Sequence, residues 1–412
     1  MTRHIVVVGA GIVGSCCAGW LQRKGLKVTL IDRSEAGEET SSGNAGSVSP
    51  TAVLPVAMPG MFKQIPGWLL DPLGPLTLRW SYLPTATPWL IRFLRCANPD
   101  QMWRTANGMR GLLAPVFECY APLLKNANAE DLIRREGCLY IYDSAEAFEL
   151  DRPTQNLRRE LGAKLDNISE EEIRQLEPSL SAKFKWGIYA PENGLTINPQ
   201  RLTKTIAEQV VADGGRFIRS EVRDIKLRAD RRKVIHTSGG EEIADAVVIA
   251  AGAWSHKLAA LFGDRVPLES QRGYHVTMAD PGIPARRMVN WVGRRVFATP
   301  MEMGLRLAGT VELAGLEAEP NWRRADILID LARELYPDLN VSKVTRWMGH
   351  RPCLPDSLPV IGPSPRAPGI FYAFGHGHVG MCGAPGTGRT IAELVAGEPP
   401  QINIEPFRVD RF

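Results

Sequence analysis

The first thirty residues alternate between short apolar runs and one stretch with helical spacing. Residues 4–8 read HIVVV, a β-branched run that predicts a strand, and glycines then lead into a helical pattern that extends through Leu21. A second run, KVTLID, predicts a strand that ends at Asp32. The order strand, helix, strand predicts a βαβ unit, in which the two strands are parallel.

Prolines and tryptophans interrupt this pattern between residues 50 and 128. Prolines recur from Pro50 to Pro88, and helical segments return only near residues 100–125. The tryptophans interleaved with them are Trp68, Trp80, Trp89 and Trp103. This composition predicts an insertion that lies away from the first sheet.

The rest of the chain follows two patterns. Residues 245–263, DAVVIAAGAWSHKLAALFG, repeat the strand, small-residue turn and helix of the N-terminus, and residues 370–397 predict a strand, a glycine-rich loop and a helix. Residues 272–315 contain successive strand-like runs that predict an antiparallel sheet. Shorter predicted elements are strands at 138–142, 216–219, 222–228 and 233–237 and helices at 146–176 and 321–336. We therefore expect an α/β fold, α+β overall, with pieces of one parallel sheet at the start, middle and end of the chain.

Length, charge and cysteine content narrow the class of protein. With 412 residues, 44% of them apolar, the chain can bury a large core. The net charge of +4 is spread along the chain, so we expect no nucleic-acid partner. The 7 cysteines show neither CxxC nor Cys/His ligand spacing, which argues against a disulfide framework and against a metal site.

The cellular location is predicted from apolar runs. No stretch approaches the roughly twenty apolar residues of a membrane span, and the N-terminus lacks a signal-peptide pattern, so we predict a cytoplasmic protein. Residues 61–95 leave an alternative open, because aromatic side chains mix there with Lys63, Arg79, Arg92 and Arg95. That mixture fits peripheral contact with the inner face of the cytoplasmic membrane, and it equally fits a proline-rich lid buried in the protein.

Gly9, Gly11 and Gly14 form a G-x-G-x-x-G motif directly between the first predicted strand and helix. The first glycine permits a tight turn, the second lets a pyrophosphate approach the backbone, and the third allows close packing of helix on strand. Asp32 follows Gly14 by 18 residues, where its carboxylate can accept hydrogen bonds from ribose hydroxyls. Arg33 could attract a 2′-phosphate, which Asp32 would repel. The motif predicts one dinucleotide cofactor, and by itself leaves NAD and FAD open.

Four further segments agree with that motif: ETSSGNAG (39–46), AAGAW (250–254), GHRPCLPDSLPVIG (349–362) and GHGHVGMCGAPGTG (375–388). With these segments the chain resembles the D-amino-acid oxidase superfamily of FAD-dependent oxidoreductases, and within it most of all the bacterial D-amino-acid dehydrogenases. The resemblance implies a Rossmann-like FAD-binding domain and an interleaved substrate domain built on an antiparallel sheet. We place the FAD-binding domain at 1–50, 195–265 and 350–412, and the substrate domain at 51–194 and 266–349.

The resemblance also implies which residues contact FAD. Residues 40–46 correspond to the loop that passes the pyrophosphate and ring system, Val222 meets the adenine through its backbone, and Gly386 to Gly388 extend the loop under the flavin ring. His376 and His378 flank that loop, with backbone contact or packing as alternatives to side-chain contact. The implied cofactor-binding residues are Gly9, Ala10, Gly11, Ile12, Val13, Gly14, Asp32, Arg33, Thr40, Ser41, Asn44, Ala45, Gly46, Val222, Ala251, Gly252, Trp254, Gly375, His376, Gly377, His378, Val379, Gly380 and Met381.

For the substrate, the resemblance implies that Arg351 binds a carboxylate, to which a guanidinium can donate two parallel hydrogen bonds. A structural ion pair of Arg351 with Asp356 or Glu312 is the alternative. Tyr274 is a candidate for the amine side of the pocket or for the core, and His350 for orienting Arg351.

One departure from the family bears on the cofactor. Cys353 stands too late in its motif to match the flavin-linking cysteine of sarcosine oxidases, so we expect FAD to be bound non-covalently.

The function that the resemblance implies is oxidation of a D-amino acid to the 2-imino acid, by hydride transfer to flavin N5, followed by hydrolysis to a 2-oxo acid and ammonia. The expected partners are a carboxylate-bearing amine and an electron acceptor, either a quinone or another molecule. Two alternatives remain. One is an enzyme for a secondary or cyclic amine such as D-proline, hydroxyproline, sarcosine or glycine, and the other is a flavin-carrying subunit of a larger electron-transfer complex.

Overall fold

Strands that are far apart in the sequence meet in shared sheets. The computed structural model describes residues 2–61, 67 and 76–412. Its strands are β1 (His4–Val8), β2 (Lys27–Asp32), β3 (Ser47–Val48), β4 (Leu76–Leu78), β5 (Ile133–Arg134), β6 (Cys138–Tyr142), β7 (Asp166–Ile168), β8 (Trp186–Ala190), β9 (Gly194–Thr196), β10 (Arg216–Arg219), β11 (Val222–Leu227), β12 (Lys233–Thr237), β13 (Gly240–Ala244), β14 (Ala246–Ile249), β15 (Glu269–Met278), β16 (Met288–Trp291), β17 (Val296–Met301), β18 (Gly304–Leu313), β19 (Val344–Cys353), β20 (Val360–Pro363) and β21 (Ile370–Phe374). Its α-helices are α1 (Ile12–Arg23), α2 (Leu83–Cys96), α3 (Pro99–Leu113), α4 (Val116–Asn126), α5 (Ala145–Leu150), α6 (Arg152–Glu160), α7 (Glu170–Leu176), α8 (Pro199–Ala212), α9 (Ser255–Ala260), α10 (Arg323–Leu335) and α11 (Gly380–Ala396).

The first sheet has the strand order β10-β2-β1-β14-β21-β20. All of its pairs are parallel except the last, β20 with β21. Its central strands β1, β14 and β21 are almost wholly apolar, because they are buried on both faces. The helices α1 and α11 cover one face, and the β11-β12-β13 sheet covers the other. The predicted βαβ unit, β1-α1-β2, is confirmed.

The second, larger sheet has the order β19-β15-β18-β17-β16-β6-β8-β7, and β4 adds to β18. One face packs against α10, through a cluster that includes Tyr274, Val276 and Leu328. The other face turns towards the first sheet, because Cys138 and Met288 on that face pack against Met381 of α11. The antiparallel sheet predicted over residues 272–315 is confirmed, whereas the charged stretch at 146–176 forms α5, α6, β7 and α7 rather than one helix.

The C-terminal helix begins earlier than the sequence predicts. Gly386 and Gly388 lie inside α11 and not in a loop. Their missing side chains allow close helix packing, since a Cβ on Gly388 would lie 2.7 Å from the backbone of Cys16 in α1, and one on Gly386 would lie 2.6 Å from the carbonyl oxygen of Leu112.

The proline-rich insertion is described only in part. Residues 62–66 and 68–75, which include Lys63 and Trp68, lie outside the described residues. In the described part, Trp89 is buried and Trp80 is 73% exposed. None of the helices among the described residues has the length and apolar composition needed to cross a membrane. The domain boundaries predicted from the sequence stay a prediction.

Candidate active site

The turn between β1 and α1 can only be built from glycine at two positions. Gly9 has a φ of 108°, and a Cβ there would lie 2.3 Å from the carbonyl oxygen of Ala250 in the neighbouring strand connection. A Cβ on Gly14 would lie 1.8 Å from the carbonyl oxygen of Gly9. The missing side chains leave room beside the N-terminus of α1. The N–H groups and the positive end of a helix N-terminus suit a pyrophosphate.

Asp32 stands at the end of β2, beside this turn. Its Oδ2 accepts a hydrogen bond from the N–H of Ala10 (2.6 Å), and its Oδ1 accepts one from the N–H of Ser34 (3.0 Å). Burial raises the pKa of Asp32, while these two N–H groups act in the opposite direction. The carboxylate is therefore held rigidly at the wall where a ribose would lie.

Arg33 is engaged by protein groups. Its Nε and Nη2 both lie 3.1 Å from Glu39 Oε1, and its guanidinium stacks 4.0 Å from the ring centroid of Trp254. A residue that already pairs with a carboxylate is a poor receptor for a 2′-phosphate, which agrees with a cofactor that lacks one.

A cavity of about 760 Å³ runs from the glycine turn to the N-terminus of α11. Its volume and the glycine turn at one end fit a dinucleotide such as FAD. The predicted residues that line it are Gly9, Gly11, Ile12, Val13, Asp32, Arg33, Thr40, Ser41, Asn44, Val222, Ala251, Gly252, Trp254, His350, Gly375, His376, Gly377, Gly380 and Met381. Lining residues that the sequence did not single out include Ser220, Glu221, Lys257, Leu261, Glu317 and Pro352.

Other residues predicted to contact the cofactor do not line the cavity and lie behind the residues that do. The carbonyl oxygen of Ala45 accepts a hydrogen bond from Thr299 Oγ1 (2.7 Å), and the N–H of Gly46 donates to Asn44 Oδ1 (2.8 Å). Ala10 acts through Asp32, Gly14 through packing, and Val379 lies just before α11. These residues shape the cavity from outside.

The loop of residues 40–46 is fixed by side chains from the larger sheet. Arg306 Nη1 donates to the carbonyl oxygens of Ser42 (2.9 Å) and Asn44 (2.7 Å), and His275 Nδ1 donates to that of Gly43 (3.1 Å). Burial, with Arg306 nearby, lowers the pKa of His275 to about 3, so its ring is neutral at pH 7. Sequence reasoning missed Arg306 and His275, because a single sequence does not show that β15 pairs with β18 or that both strands lie next to this loop.

The N-terminus of α11 opens into the far end of the cavity through Gly380 and Met381. The hydroxyl of Tyr120 donates to the carbonyl oxygen of Met381 (2.7 Å), and His376 Nε2 lies 2.8 Å from Thr387 Oγ1. Burial lowers the pKa of His376 to about 3. The His376 ring therefore packs against the helix as a neutral group and leaves its backbone to line the cavity.

Arg351, in β19, reaches across β15 to the carbonyl oxygens of β18. Its Nη1 donates to Thr310 O (2.9 Å) and its Nη2 approaches Gly309 O (3.4 Å). The guanidinium lies flat against Gly273, where a Cβ would be 2.2 Å from Cζ. Burial lowers the pKa of Arg351, but a guanidinium remains charged at neutral pH.

Both acidic partners considered for Arg351 are bound elsewhere. Asp356 Oδ2 accepts from Arg411 Nε at 2.7 Å, and Glu312 Oε2 accepts from the hydroxyl of Tyr274 at 2.5 Å. Among the residues that the structure describes, no carboxylate lies within ion-pair distance of Arg351. The partly buried guanidinium of Arg351 therefore has no protein counterion among these residues, and burying a charge without a counterion is unfavourable.

A β-bulge produces this arrangement. The register between β15 and β18 shifts between Arg272 and Tyr274, and Thr310 takes a φ of 53°. A positive φ is costly for a β-branched residue, and such strain often marks functional sites. The hydroxyl of Thr310 is buried and has no hydrogen-bond partner among the described residues.

Tyr274 and His350 lie on the faces of their strands opposite to Gly273 and Arg351. Tyr274 is 1% exposed in the core beneath α10, and its hydroxyl also accepts from the N–H of Asn321 (2.9 Å), so the structure does not bring it to the amine side of a pocket. His350 Nδ1 lies 2.8 Å from Ser270 Oγ, and burial lowers the pKa of His350 to about 4. His350 thus lines the cofactor cavity rather than orienting Arg351, since successive residues of a strand point to opposite faces.

Two further predicted residues lie close to Arg351. Desolvation, with smaller effects of Arg351 and Arg295, lowers the pKa of His378 to about 4. Cys353 is buried in a cluster with Trp89 and Phe93, and burial raises the pKa of its thiol to about 12.

A fold with this cavity defines a dinucleotide-dependent oxidoreductase, and comparisons with known proteins specify the family. The chain belongs to the FAD dependent oxidoreductase family (DAO), whose model matches residues 4–394. It is 40% identical to a D-amino-acid oxidase of Bradyrhizobium diazoefficiens, over 100% of this chain and 99% of the relative. It is 32% identical to a D-amino acid dehydrogenase of Paramagnetospirillum magneticum, over 99% of this chain and 98% of the relative. The resemblance recognised in the sequence is confirmed.

Solved structures share the fold. Glycine oxidase of Geobacillus kaustophilus superimposes with a TM-score of 0.75 at 22% identity, and each chain is covered in full. L-proline dehydrogenase of P. horikoshii gives 0.75 at 18% identity, with 100% of this chain and 98% of that chain covered. The mixed α/β fold predicted from the sequence is confirmed.

Proposed function

We propose that the chain oxidises D-amino acids to 2-imino acids, which water converts to 2-oxo acids and ammonia. The observation that carries the proposal is Arg351, a partly buried guanidinium that has no acidic partner among the described residues. Amino-acid substrates supply the missing carboxylate. The preference for the D-enantiomer is taken from the names of the two relatives described above.

FAD fits the residues present. We propose that the N-terminus of α1 binds its pyrophosphate, that Asp32 accepts hydrogen bonds from its ribose, and that the loop 375–380 meets its ring. When bound, FAD supplies the acceptor for the hydride that leaves the substrate Cα. Non-covalent binding is supported by Cys353, because that thiol lies in an apolar cluster and its pKa of about 12 leaves it protonated.

The protein's own residues orient the substrate and stabilise charge. Arg351 can donate two parallel hydrogen bonds to the substrate carboxylate, and its contacts with Thr310 O and Gly309 O fix the plane of the guanidinium. The positive end of α11, at Gly380, favours negative charge at that end of the cavity. Oxidation by hydride transfer needs little acid–base catalysis, so positioning is the main contribution of the protein.

An anaerobic titration of the FAD-loaded protein tests this proposal. We expect D-amino acids to bleach the flavin absorbance, and L-enantiomers to leave it unchanged. A panel with D-proline, sarcosine and glycine tests the secondary-amine alternative, and full turnover of the isolated chain with an artificial acceptor tests the subunit alternative. If no compound of the panel bleaches the flavin, the proposed function is wrong.

The electron acceptor and the location are also proposals. We propose transfer to a quinone or another acceptor, from a cytoplasmic protein that can contact the membrane surface. The exposed side chains of Trp80, Ile91 and Leu94, next to Arg92 and Arg95, support such a contact. Co-sedimentation with anionic vesicles should detect it, and exchange of Ile91 and Leu94 for serine should abolish it.

A further inference from the structure

A second guanidinium without an acidic partner stands near the same site. Arg158, in α6, donates from Nη2 to the hydroxyl of Tyr140 (2.8 Å), and its guanidinium lies 4.5 Å from the centroid of that ring. The side chain is half-buried, and within the described part of the chain no carboxylate reaches ion-pair distance of it. Partial removal of a guanidinium from water without a counterion is unfavourable, as it is for Arg351.

Strand register places Tyr140 on the face of the larger sheet that turns towards α11. Tyr140 of β6 pairs with Asn290 of β16, Asn290 pairs with Phe297 of β17, and Phe297 pairs with Ala308 of β18. Paired residues share a face, and Tyr140 and Phe297 pack against the cluster that contains Met381, a residue of the cavity wall. The row from Ala308 to Tyr140 therefore faces the site.

The polar groups at the end of this row have unused hydrogen-bond donors. Within the described residues Arg158 uses one of its five N–H donors, which it gives to the hydroxyl oxygen of Tyr140. That oxygen also accepts from Asn193 Nδ2 (3.3 Å), and the hydroxyl lies within hydrogen-bonding reach of the Cys138 thiol. Asn193 is held in turn by Ser49, whose Oγ donates to Asn193 Oδ1 (2.8 Å). Asn290 is half-buried, and its side-chain amide makes no hydrogen bond to any described residue.

The position of these donors relative to Arg351 defines a substrate length. Arg351 is hydrogen-bonded to β18, and Asn290 and Tyr140 stand two and three strands further along, about 10 and 14 Å away at the usual strand spacing. Side chains that project from this face of the sheet shorten this gap. The ring of Phe297 and the small Ala308 lie between the two ends and leave an apolar floor for methylene groups.

We infer that Arg158, Tyr140 and Asn290 form a second anion-binding subsite, which receives the side-chain carboxylate of an acidic D-amino acid with the length of glutamate. This inference rests on the proposed function. In the proposed complex, Arg351 binds the α-carboxylate of the substrate and the methylene groups lie over Phe297. The side chains of Arg158, Tyr140 and Asn290 bind the distal carboxylate. D-aspartate is too short to engage both ends equally well.

Steady-state kinetics of the FAD-loaded enzyme test the subsite. We compare D-glutamate with D-methionine, which has similar length and no charge, and with D-aspartate. Arg158→Met should lower kcat/KM for D-glutamate at least about tenfold, because a charged hydrogen bond is lost, and should leave D-methionine within about threefold. Arg152→Met is the matched control, since Arg152 is in the same helix and pairs with the exposed Glu149.

Binding of non-reacting acids gives a readout that does not depend on turnover. Glutarate and pentanoate have the same carbon chain and differ by one carboxylate, and their dissociation constants can be measured by calorimetry on the FAD-loaded protein. The wild type should prefer glutarate, and Arg158→Met should abolish the preference. Tyr140→Phe and Asn290→Ala should reduce it by smaller factors, and each variant's FAD content reports whether it is folded.

The outcomes separate the two proposals. The subsite is wrong, and the proposed function stands, if D-methionine bleaches the flavin but D-glutamate is not preferred. The same conclusion follows if Arg158→Met weakens the binding of glutarate and of pentanoate by equal factors. If no D-amino acid bleaches the flavin, the proposed function fails, and selective glutarate binding then still reports on the subsite alone.

Discussion

Arg411 Nε lies 2.7 Å from Asp356 Oδ2, so the acidic residue that follows Arg351 in the sequence serves another guanidinium. That pair is largely buried, and a further hydrogen bond joins Arg411 Nη2 to the carbonyl oxygen of Leu358 (2.6 Å). The pair therefore stabilises the turn after β19 and leaves Arg351 charged and available. Arg411 neutralises Asp356, and Arg351 thereby remains available for the proposed binding of a substrate carboxylate.

Arg351→Met should lower kcat/KM for D-amino acids by about 100-fold or more, because a charged, two-pronged hydrogen bond to the carboxylate is lost. The variant should keep its FAD and its melting temperature, since Arg351 makes no ion pair among the described residues. Arg411→Met is the contrasting variant. It leaves Asp356 without its partner and should lower the melting temperature, with little change in kcat/KM per FAD-loaded molecule.

Gly273→Ala should displace the guanidinium of Arg351, because the added Cβ would lie 2.2 Å from Cζ. We expect the KM for D-amino acids to rise at least about tenfold, while flavin binding is unchanged. Gly111→Ala in α3 is the matched control, because its Cβ would meet its nearest neighbour, Ile402, at 4.0 Å. Alanine at that helical position should leave kinetics unchanged and raise stability by about 0.5–1 kcal/mol. Unchanged kinetics in Gly273→Ala would contradict the placement of Arg351.

Arg306→Met should weaken FAD binding, because the loop of residues 40–46 loses its hydrogen bonds at the carbonyl oxygens of Ser42 and Asn44. We expect the dissociation constant to rise about tenfold or more, measured by fluorescence as FAD is added to the apoprotein. The control is Arg346→Met in β19, which removes an exposed ion pair with Asp326 of α10 and should have no such effect.

The stability of the fold should fall below pH 6.5. Burial lowers the pKa of His376 to about 3, against an ordinary value of 6.5 that applies to the unfolded chain. Between these values the unfolded chain takes up a proton that the folded protein excludes, so the stabilisation is complete above pH 6.5 and is lost as the pH falls. The loss from this group at pH 5 is about 2 kcal/mol.

Denaturant unfolding at pH 7.5 and at pH 5 measures this loss. His376→Gln should be less stable than the wild type at pH 7.5, because the contact with Thr387 changes, and its stability should fall less between the two pH values. An identical pH dependence of both proteins would show that His376 does not titrate as its burial implies.

Predictions from the sequence succeeded where the signal is local. The run HIVVV, the glycines after it and Asp32 predict the first βαβ unit and its cavity wall, because the backbone geometry of a tight turn requires glycine at fixed positions. Four separate motifs added the family and the loops at either end of the cavity. By contrast, the helical character of residues 380–388 was missed, because glycine and proline are poor helix formers. Close packing against α1 and against Leu112 of α3 explains the glycines at these positions.

Predictions that depend on which strands are neighbours needed the structure. Alternation along β15 places Tyr274 opposite to Gly273 and His275, but the sequence does not reveal which face meets the cofactor. The β18 bulge that turns Thr310 O towards Arg351 depends on a register shift between paired strands. The proposed role of Arg158 depends on the position of α6 over β6, and no motif in the sequence marks that position.

The sequence by itself thus determined the family, the glycine turn and the presence of a candidate arginine in β19, because local conformation and motif order are written along the chain. Tertiary structure decided that Asp356 pairs with Arg411, that Glu312 pairs with Tyr274, and that Arg351 stays free of both. The physical reason is that ion pairs form between groups brought within about 4 Å by strand order, register and burial, and sequence separation carries little information about that distance.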